Sequence, residues 1–351
     1  MDDPSLDALQ AIVPNLHWRY SGVTATNRMI APRLARLLPT AWLGRDAPGG
    51  VARLSLRDLL RLRLRRPRAE VIWHARRNNE MLVGVFLKAL GWPLALVFTS
   101  AAQRHHTWVT RFLIARMDGV IAASAAAASY LKRPATVIPH GIDTARFAPA
   151  PDRDAAYAAT GLPGKYAIGC FGRVRAQKGT DIFVEAMCRL LPKYPDFTGI
   201  VIGPVTLEQR TFDAGLKERV RAAGLSARVL FLGEFPADEI PRWHQRLLIY
   251  AFTSRVEGYG LTLLEAMASG TALVATRAGA ADQIVREGKT GFLVPPGDAD
   301  ALANAIEPLM RDPARAAEMG RKGRERAVAE FAIDAEAEKI TAFYRHVLQS
   351  D

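Results

Sequence analysis

The stretch Leu247-Leu-Ile-Tyr-Ala-Phe-Thr-Ser-Arg-Val-Glu-Gly-Tyr-Gly-Leu-Thr-Leu-Leu-Glu265 joins two periodicities across a glycine-flanked turn. Residues 247–252 form an unbroken apolar run, the pattern of a parallel strand buried on both faces. Leu261, Leu264, Glu265 and Met267 follow at helical spacing. Glu257 therefore falls in a strand-to-helix loop, and Glu265 lies one to two turns into the helix. In an open α/β sheet, ligands bind at this edge, outside the carboxyl ends of the strands. Gly258 and Gly260 let backbone N–H groups approach a bound molecule, and a helix start favours anionic or hydroxyl-rich ligands. A carboxylate accepts from a vicinal diol through both oxygens, so two carboxylates suit a ligand with two sugar rings. Taken alone, the same pair would also serve as a solvated loop residue and a helix-surface charge.

The text around them narrows that choice. Ser254-Arg-Val-Glu-Gly-Tyr-Gly-Leu-Thr-Leu-Leu-Glu-Ala-Met-Ala-Ser-Gly270 is followed by Thr271-Ala-Leu-Val-Ala-Thr276 and by Gly288-Lys-Thr-Gly-Phe-Leu-Val-Pro-Pro-Gly-Asp298. This resembles the nucleotide-sugar-binding half of the retaining family-4 glycosyltransferases, whose mark is two Glu separated by seven residues. Tyr259 stands where that family usually has Phe. The resemblance implies an α/β chain with the GT-B fold, two Rossmann-like doubly wound parallel-sheet domains facing a cleft. It places Glu265 on ribose hydroxyls and Glu257 on donor-sugar hydroxyls, with Gly258, Tyr259, Gly260 and Leu261 in the same donor loop.

Upstream, Tyr166-Ala-Ile-Gly-Cys-Phe-Gly-Arg-Val174 reads as a strand running into Arg175-Ala-Gln-Lys-Gly179, with Thr180 and Asp181 placed to cap a helix through Leu191. Gly172 permits close backbone approach, and Arg173 and Lys178 bring two cations to one loop at a helix entry. A diphosphate gains charge as it leaves, so such cations stabilise the transition state more than the ground state. The pattern matches the family's Gly-Arg…Lys-Gly, and the resemblance assigns Arg173 and Lys178 to the diphosphate. Asp298-Ala-Asp300 opens a helix, and capping accounts for it better than metal binding. Gly233-Glu-Phe-Pro236 lies near the nucleotide base in the family.

Composition bounds the rest. At 351 residues, 49% hydrophobic and 23% charged, the chain is an ordinary globular protein with room for two cores. Cys170 and Cys188 imply no disulfide framework and fit a reducing cytoplasm. Met1-Asp-Asp-Pro-Ser-Leu-Asp7 has no apolar core of a signal peptide, and Lys88 and Gly91-Trp-Pro93 break the apolar run 81–102, so neither export nor a membrane span is expected. The first 150 residues hold 21 Lys and Arg against 9 Asp and Glu, while the remaining 201 hold 26 of each. The excess is densest at Arg53, Arg57, Arg61, Arg63, Arg65, Arg66 and Arg68, interleaved with leucines. Such a segment can lie on an anionic membrane surface or can be an amphipathic helix whose leucines are core. No nucleic-acid module accompanies the charge, so a nucleic-acid partner is not expected.

Strand-like runs at 9–14, 40–43, 70–74, 94–99, 119–124 and 136–139 alternate with helical stretches, which argues for a doubly wound parallel sheet. No Gly-x-Gly-x-x-Gly follows the first strand, so a dinucleotide site is not supported. The family's first loop is glycine-rich and faces the donor phosphates; Ser21-Gly22 remains of it, which makes Gly22 a donor candidate. His74, Arg76, Arg77 and Asn78 directly follow a strand and are acceptor-side candidates, although His74 could equally cap the strand end. The family often places a histidine after the strand ending at 99–100, a position His105 or His106 could take. No second ligand pair accompanies these histidines, and no metal is expected.

Val137-Ile-Pro-His-Gly-Ile-Asp-Thr-Ala-Arg-Phe147 looks like the family's crossing between domains, and 148–165 is rich in Ala, Pro, Asp and Gly, as a linker would be. The expected division is an acceptor-binding domain 1–147, a nucleotide-sugar-binding domain 148–330, and a helix 331–351 that returns to the first. Trp73-His-Ala-Arg-Arg-Asn-Asn-Glu-Met81 is similar to bacterial mannosyltransferases that extend the lipopolysaccharide inner core from GDP-mannose. That likeness implies a lipid-linked saccharide acceptor and a cytoplasmic protein, peripheral on the inner membrane face. A UDP-sugar-dependent transferase, a GT-B epimerase or hydrolase of sugar nucleotides, and a non-catalytic sugar-nucleotide sensor remain as alternatives.

Overall fold

A computed structural model describes residues 6–17, 22–65 and 70–349; Ser21, Arg66 and Arg68 lie outside them. The chain divides into two compact units, one running to Gly141 and resuming at Ile333, the other spanning Ile142–Ala332.

The first unit contains β1 (Ala11–Asn15), α1 (Gly22–Leu37), β2 (Thr40–Gly44), β3 (Ala52–Leu54), α2 (Leu56–Arg65), β4 (Val71–Ala75), α3 (Asn78–Ala89), β5 (Leu94–Ser100), α4 (Trp108–Ile114), β6 (Gly119–Ala122), α5 (Ala125–Ser129) and β7 (Thr136–Val137). Its strands pair in parallel in the order β3-β2-β1-β4-β5-β6-β7. The second contains α6 (Arg153–Ala158), β8 (Tyr166–Phe171), α7 (Thr180–Leu190), β9 (Phe197–Ile202), α8 (Arg210–Ala222), β10 (Val229–Gly233), α9 (Ile240–Gln245), β11 (Leu247–Phe252), α10 (Leu261–Ala268), β12 (Ala272–Thr276), α11 (Ala281–Ile284), β13 (Gly291–Val294), α12 (Ala299–Arg311) and α13 (Pro313–Glu330). Here the parallel order is β10-β9-β8-β11-β12-β13. The last helix, α14 (Ile333–Gln349), returns to the first unit.

Helices on both faces of a parallel sheet explain why its strands read as unbroken apolar runs: β4, β5, β11 and β12 are buried along their whole length. In the first unit α1 and α14 share one core with Trp42 and Ile72, while α2, α3 and α4 share the core on Trp73 and Leu96. Each sheet reverses its strand order once, at β1/β4 and at β8/β11. At such a reversal neighbouring strands send their connections to opposite sides, and a crevice opens at their carboxyl ends.

Four local expectations are corrected. The first is β3, which the strand list lacks, a three-residue edge strand too short to show a period. Residues 148–165 are not a bare linker: they contain α6, capped by Asp152 through the Ala155 N–H at 2.9 Å, and bury Tyr157, whose hydroxyl donates to the Pro163 carbonyl at 2.6 Å. The division accordingly falls after Gly141, upstream of 147/148, because Ile142 is already buried and hydrogen-bonds the Phe331 carbonyl at 2.8 Å. Asp298 caps α12 through the Ala301 N–H, as its spacing predicts. Thr180 and Asp181 do not cap α7; the cap is Gly179 in the left-handed region at φ +68°.

A Cβ on Gly179 would lie 1.9 Å from the Thr253 carbonyl oxygen. Gly179→Ala combines that backbone collision with an unfavourable φ, so we expect it to lower unfolding free energy by about 2 kcal/mol or more. Urea denaturation measures the loss.

Candidate functional site

At the β8/β11 reversal the loop 172–179 lies against the loop 253–260. Gly172 has φ +142°, and its carbonyl packs so closely on Gly203 that a Cβ there would fall 1.9 Å from it. Lys178 closes a 3-10 turn, Ala176–Lys178, and its Nζ ion-pairs with Glu257 Oε2. The Lys178 carbonyl accepts the Thr253 hydroxyl at 2.9 Å. Glu257 also takes the Gly258 N–H at 3.0 Å and the Ser254 hydroxyl at 3.4 Å. Arg173 on the same loop is exposed, and no ion pair among the described residues engages it.

A second pair braces these loops. Arg255 forks onto Asp181 at 2.8 and 2.7 Å, tying β11's loop to the first turn of α7. Burial alone would push the Asp181 carboxyl up, but the hydrogen bonds and charge of Arg255 more than offset it and hold it below the usual carboxylate range. The glycine hinge before α10 is Gly260, at φ +96° and ψ +53°, with no side chain capping the helix. Tyr259 is buried, and its carbonyl accepts the Ala280 N–H at 2.8 Å. Leu261 opens α10, and Glu265, one turn on, meets His244 Nε2 at 3.3 Å. Here one carboxylate beside a lysine and one beside a buried histidine share an edge with an unpaired arginine.

Sequence reasoning missed His244. It is fully buried on α9 among the rings of Phe171 and Tyr250, 4.7 and 5.3 Å away. The available signal was a polar residue beside Pro241 and Trp243 on a short helix that leads into the decisive strand. The Arg255–Asp181 brace was also missed, because its partners are far apart in the chain.

The β1/β4 reversal gathers the first unit's candidates. Arg77 reaches Asn15 Oδ1 at 3.0 Å, Thr24 Oγ1 at 2.7 Å and the fully buried Glu80 at 2.9 Å. Burial pushes the Glu80 carboxyl up, against the Arg76 N–H and the Arg77 charge. Gly22 is the first residue of α1, exposed, with its carbonyl accepting the Thr26 hydroxyl at 2.9 Å. Asn78 is exposed and donates to Thr110 at 2.8 Å.

Two acceptor-side expectations change. His74 is 2% exposed, with Nδ1 on the Tyr344 hydroxyl at 2.5 Å and Nε2 on the Thr99 hydroxyl at 2.6 Å. Both nitrogens are consumed, one fastening α14 to the sheet and the other bridging β4 to β5, so the side chain is structural. His105 stands edge-on to Tyr130 at 5.3 Å, whereas the half-buried His106 faces Ser100, the last residue of β5, at 3.5 Å. His106 is therefore the histidine at the strand end, its pKa pushed down by burial and by Arg104.

These two units reproduce the fold of a known class. The Anabaena protein Alr3699/HepE, solved with UDP, superposes with a TM-score of 0.83 over 96% of this chain and 100% of its own at 21% identity, which defines the GT-B architecture. A family model described as glycosyl transferases group 1 matches residues 152–326. The lipopolysaccharide core biosynthesis mannosyltransferase LpcC of Rhizobium leguminosarum bv. viciae is 48% identical over 98% of both chains. A second relative, LpsB of Rhizobium meliloti strain 1021, is 44% identical over 97% of this chain and 98% of its own. The chain belongs to the group 1 glycosyltransferases and is a glycosyltransferase enzyme.

Burial pushes the pKa of His74 well below its ordinary value of 6.5, and the nearby Arg76 and His140 add to the shift. An unfolded chain then binds a proton that the folded one refuses, so stability falls as pH drops through 6.5, by up to about 1.4 kcal/mol per pH unit for this group. His74→Gln should flatten that slope between pH 6.5 and 5 in urea titrations.

Proposed function

We propose that this enzyme transfers mannose from GDP-mannose, with retention at the anomeric carbon, to a lipid-linked lipopolysaccharide core acceptor. The observation that carries this reading is the cationic loop Gly172–Lys178 set against Glu257 and Glu265 across the β8/β11 reversal. The names of the Rhizobium relatives support the sugar and the acceptor.

In this reading Arg173 and Lys178 hold the diphosphate, Glu265 the ribose hydroxyls and Glu257 the hydroxyls of the transferred hexose. The anomeric carbon–phosphate oxygen bond breaks, and the acceptor oxygen bonds that carbon from the same face. The acceptor hydroxyl gives its proton to the departing phosphate oxygen, and GDP leaves. No carboxylate acts as nucleophile; the enzyme orients the partners and stabilises the leaving charge. No metal takes part in this scheme.

The acceptor's lipid brings the enzyme to the cytoplasmic face of an anionic membrane. No helix among the described residues is long and apolar enough to cross one. On α2, Leu59 and Leu62 are core, yet Leu56, Leu60 and Leu64 are 74, 57 and 82% exposed among Arg57, Arg61 and Arg63. Phe86 on α3 and Trp108 on α4 are exposed from helices packed on the same core. An apolar surface set among arginines suits insertion between anionic headgroups.

Two measurements test these readings. Thermal stabilisation is compared with GDP-mannose, UDP-glucose, UDP-N-acetylglucosamine, ADP-glucose and NAD; a selective rise with GDP-mannose is expected, and a response confined to a UDP-sugar removes the mannose assignment. Glu265→Ala and Lys178→Ala should each cost at least about tenfold in kcat/KM, and smaller losses would sink the site assignment. For the membrane, Leu60→Asp with Trp108→Asp should abolish co-sedimentation with vesicles containing phosphatidylglycerol while leaving donor stabilisation unchanged.

A further inference from the structure

Arg76 is a buried charge that neither the fold nor the donor site uses. It follows β4 directly, at the β1/β4 reversal, and only 9% of it is exposed. Its backbone N–H donates to Glu80 Oε2 at 2.8 Å, but among the described residues no hydrogen bond or ion pair engages its guanidinium. The adjacent carboxylate is already spent, since Glu80 takes that N–H and the Arg77 guanidinium. Of two consecutive arginines, one ties the reversal together and the other is left over.

Among the described residues no carboxylate engages this guanidinium: Glu336, whose charge reaches Tyr344, is bonded to His140 and to the Gly141 N–H. The groups that feel Arg76 are His74 and Tyr344; burial holds His74 neutral by pushing its pKa down and holds Tyr344 neutral by pushing its pKa up. The guanidinium makes no polar contact among the described residues that would hold the fold together, and none of its nitrogens is sealed from solvent without a partner, so a small anion can reach it. Next to it α3, 12 residues long, begins after Arg77 with no side-chain cap, leaving N-terminal N–H groups and their partial positive charge at the same turn.

We propose that Arg76 is the anion subsite of the acceptor, its guanidinium fork taking a carboxylate or a phosphate monoester on the saccharide. This rests on the first unit being the acceptor-binding one. The acceptor's negative charge is thereby a requirement of this enzyme, read by one arginine at the carboxyl end of β4.

The test uses the full chain carrying Arg173→Ala and Lys178→Ala, which removes the second unit's phosphate-binding cations whatever the donor. Thermal stability is followed at fixed ionic strength with inorganic phosphate, with glucuronate and with neutral glucose. We expect stabilisation in the millimolar range by phosphate or by glucuronate, none by glucose, and a response at least about tenfold weaker once Arg76→Met is added. Whichever anion acts identifies the group as phosphate or carboxylate. Arg76→Lys should keep part of the response, and Arg57→Met, on the exposed face of α2, all of it. An unchanged response in Arg76→Met, or none from either anion in the chain that retains Arg76, overturns the proposal. Arg76→Met alone should melt no lower than the parent, because it strands no partner; a fall of several degrees would mark Arg76 as structural and overturn it too. Donor stabilisation of that single variant is read separately, so a failed donor assignment leaves the anion result interpretable.

Discussion

Strands β8 and β11 hydrogen-bond side by side although the chain makes β9 and β10 between them. That one pairing brings residues 172–181 against 253–265, and the proposed donor site depends on it. The Lys178–Glu257 pair, the Thr253 bond to the Lys178 carbonyl and the Arg255–Asp181 fork all cross the same seam. Gly179 is part of the same constraint, since only a residue without Cβ lets α7 begin against the Thr253 carbonyl. The seam is rigid backbone with a few polar side chains laid over it, which suits a reaction in which positioning does most of the work.

Lys178 and Glu257 satisfy each other, and both are partly exposed, so their pairing is held with little energy and is open to exchange. On the proposed roles a diphosphate competes with Glu257 for Lys178, and winning that competition frees the carboxylate for the sugar hydroxyls. Arg255 and Asp181 do not take part: their two-pronged bond lowers the Asp181 pKa and keeps the frame in place while Lys178 changes partner.

What could be read from residues followed their local periodicity. The strands with long apolar runs, the turn at Gly260 and the two glutamates were all visible, because burial on two faces and a positive φ each leave a mark in neighbouring residues. Features that depend on a partner far along the chain were not. His74 looked like a ligand-facing histidine until Thr99 and Tyr344, 270 residues away, took both its nitrogens. His244 reached Glu265 from another helix, α6 hid in a stretch with linker composition, and three-residue β3 had no period to show. On α2 the leucines seemed a choice between core and membrane, and the helix divides them, with Leu59 and Leu62 inward and Leu56, Leu60 and Leu64 outward.

The two reversals are alike in topology and opposite in electrostatics. At β8/β11 both signs are present and mostly paired, so on the proposed roles a ligand there is met by exchange of partners. At β1/β4 the carboxylate of Glu80 faces two arginines, and Arg77 engages it through its side chain. Arg76, 9% exposed, has no counter-charge engaging it among the described residues, and the proposed acceptor anion supplies one. The excess of positive charge in the first 150 residues thus has two separable parts. The arginines on the outer side of α2 are solvated and screened by salt, and they attract any anionic surface. Arg76 is largely enclosed, with its guanidinium nitrogens still touching solvent, and what answers it must be small enough to reach the end of one strand.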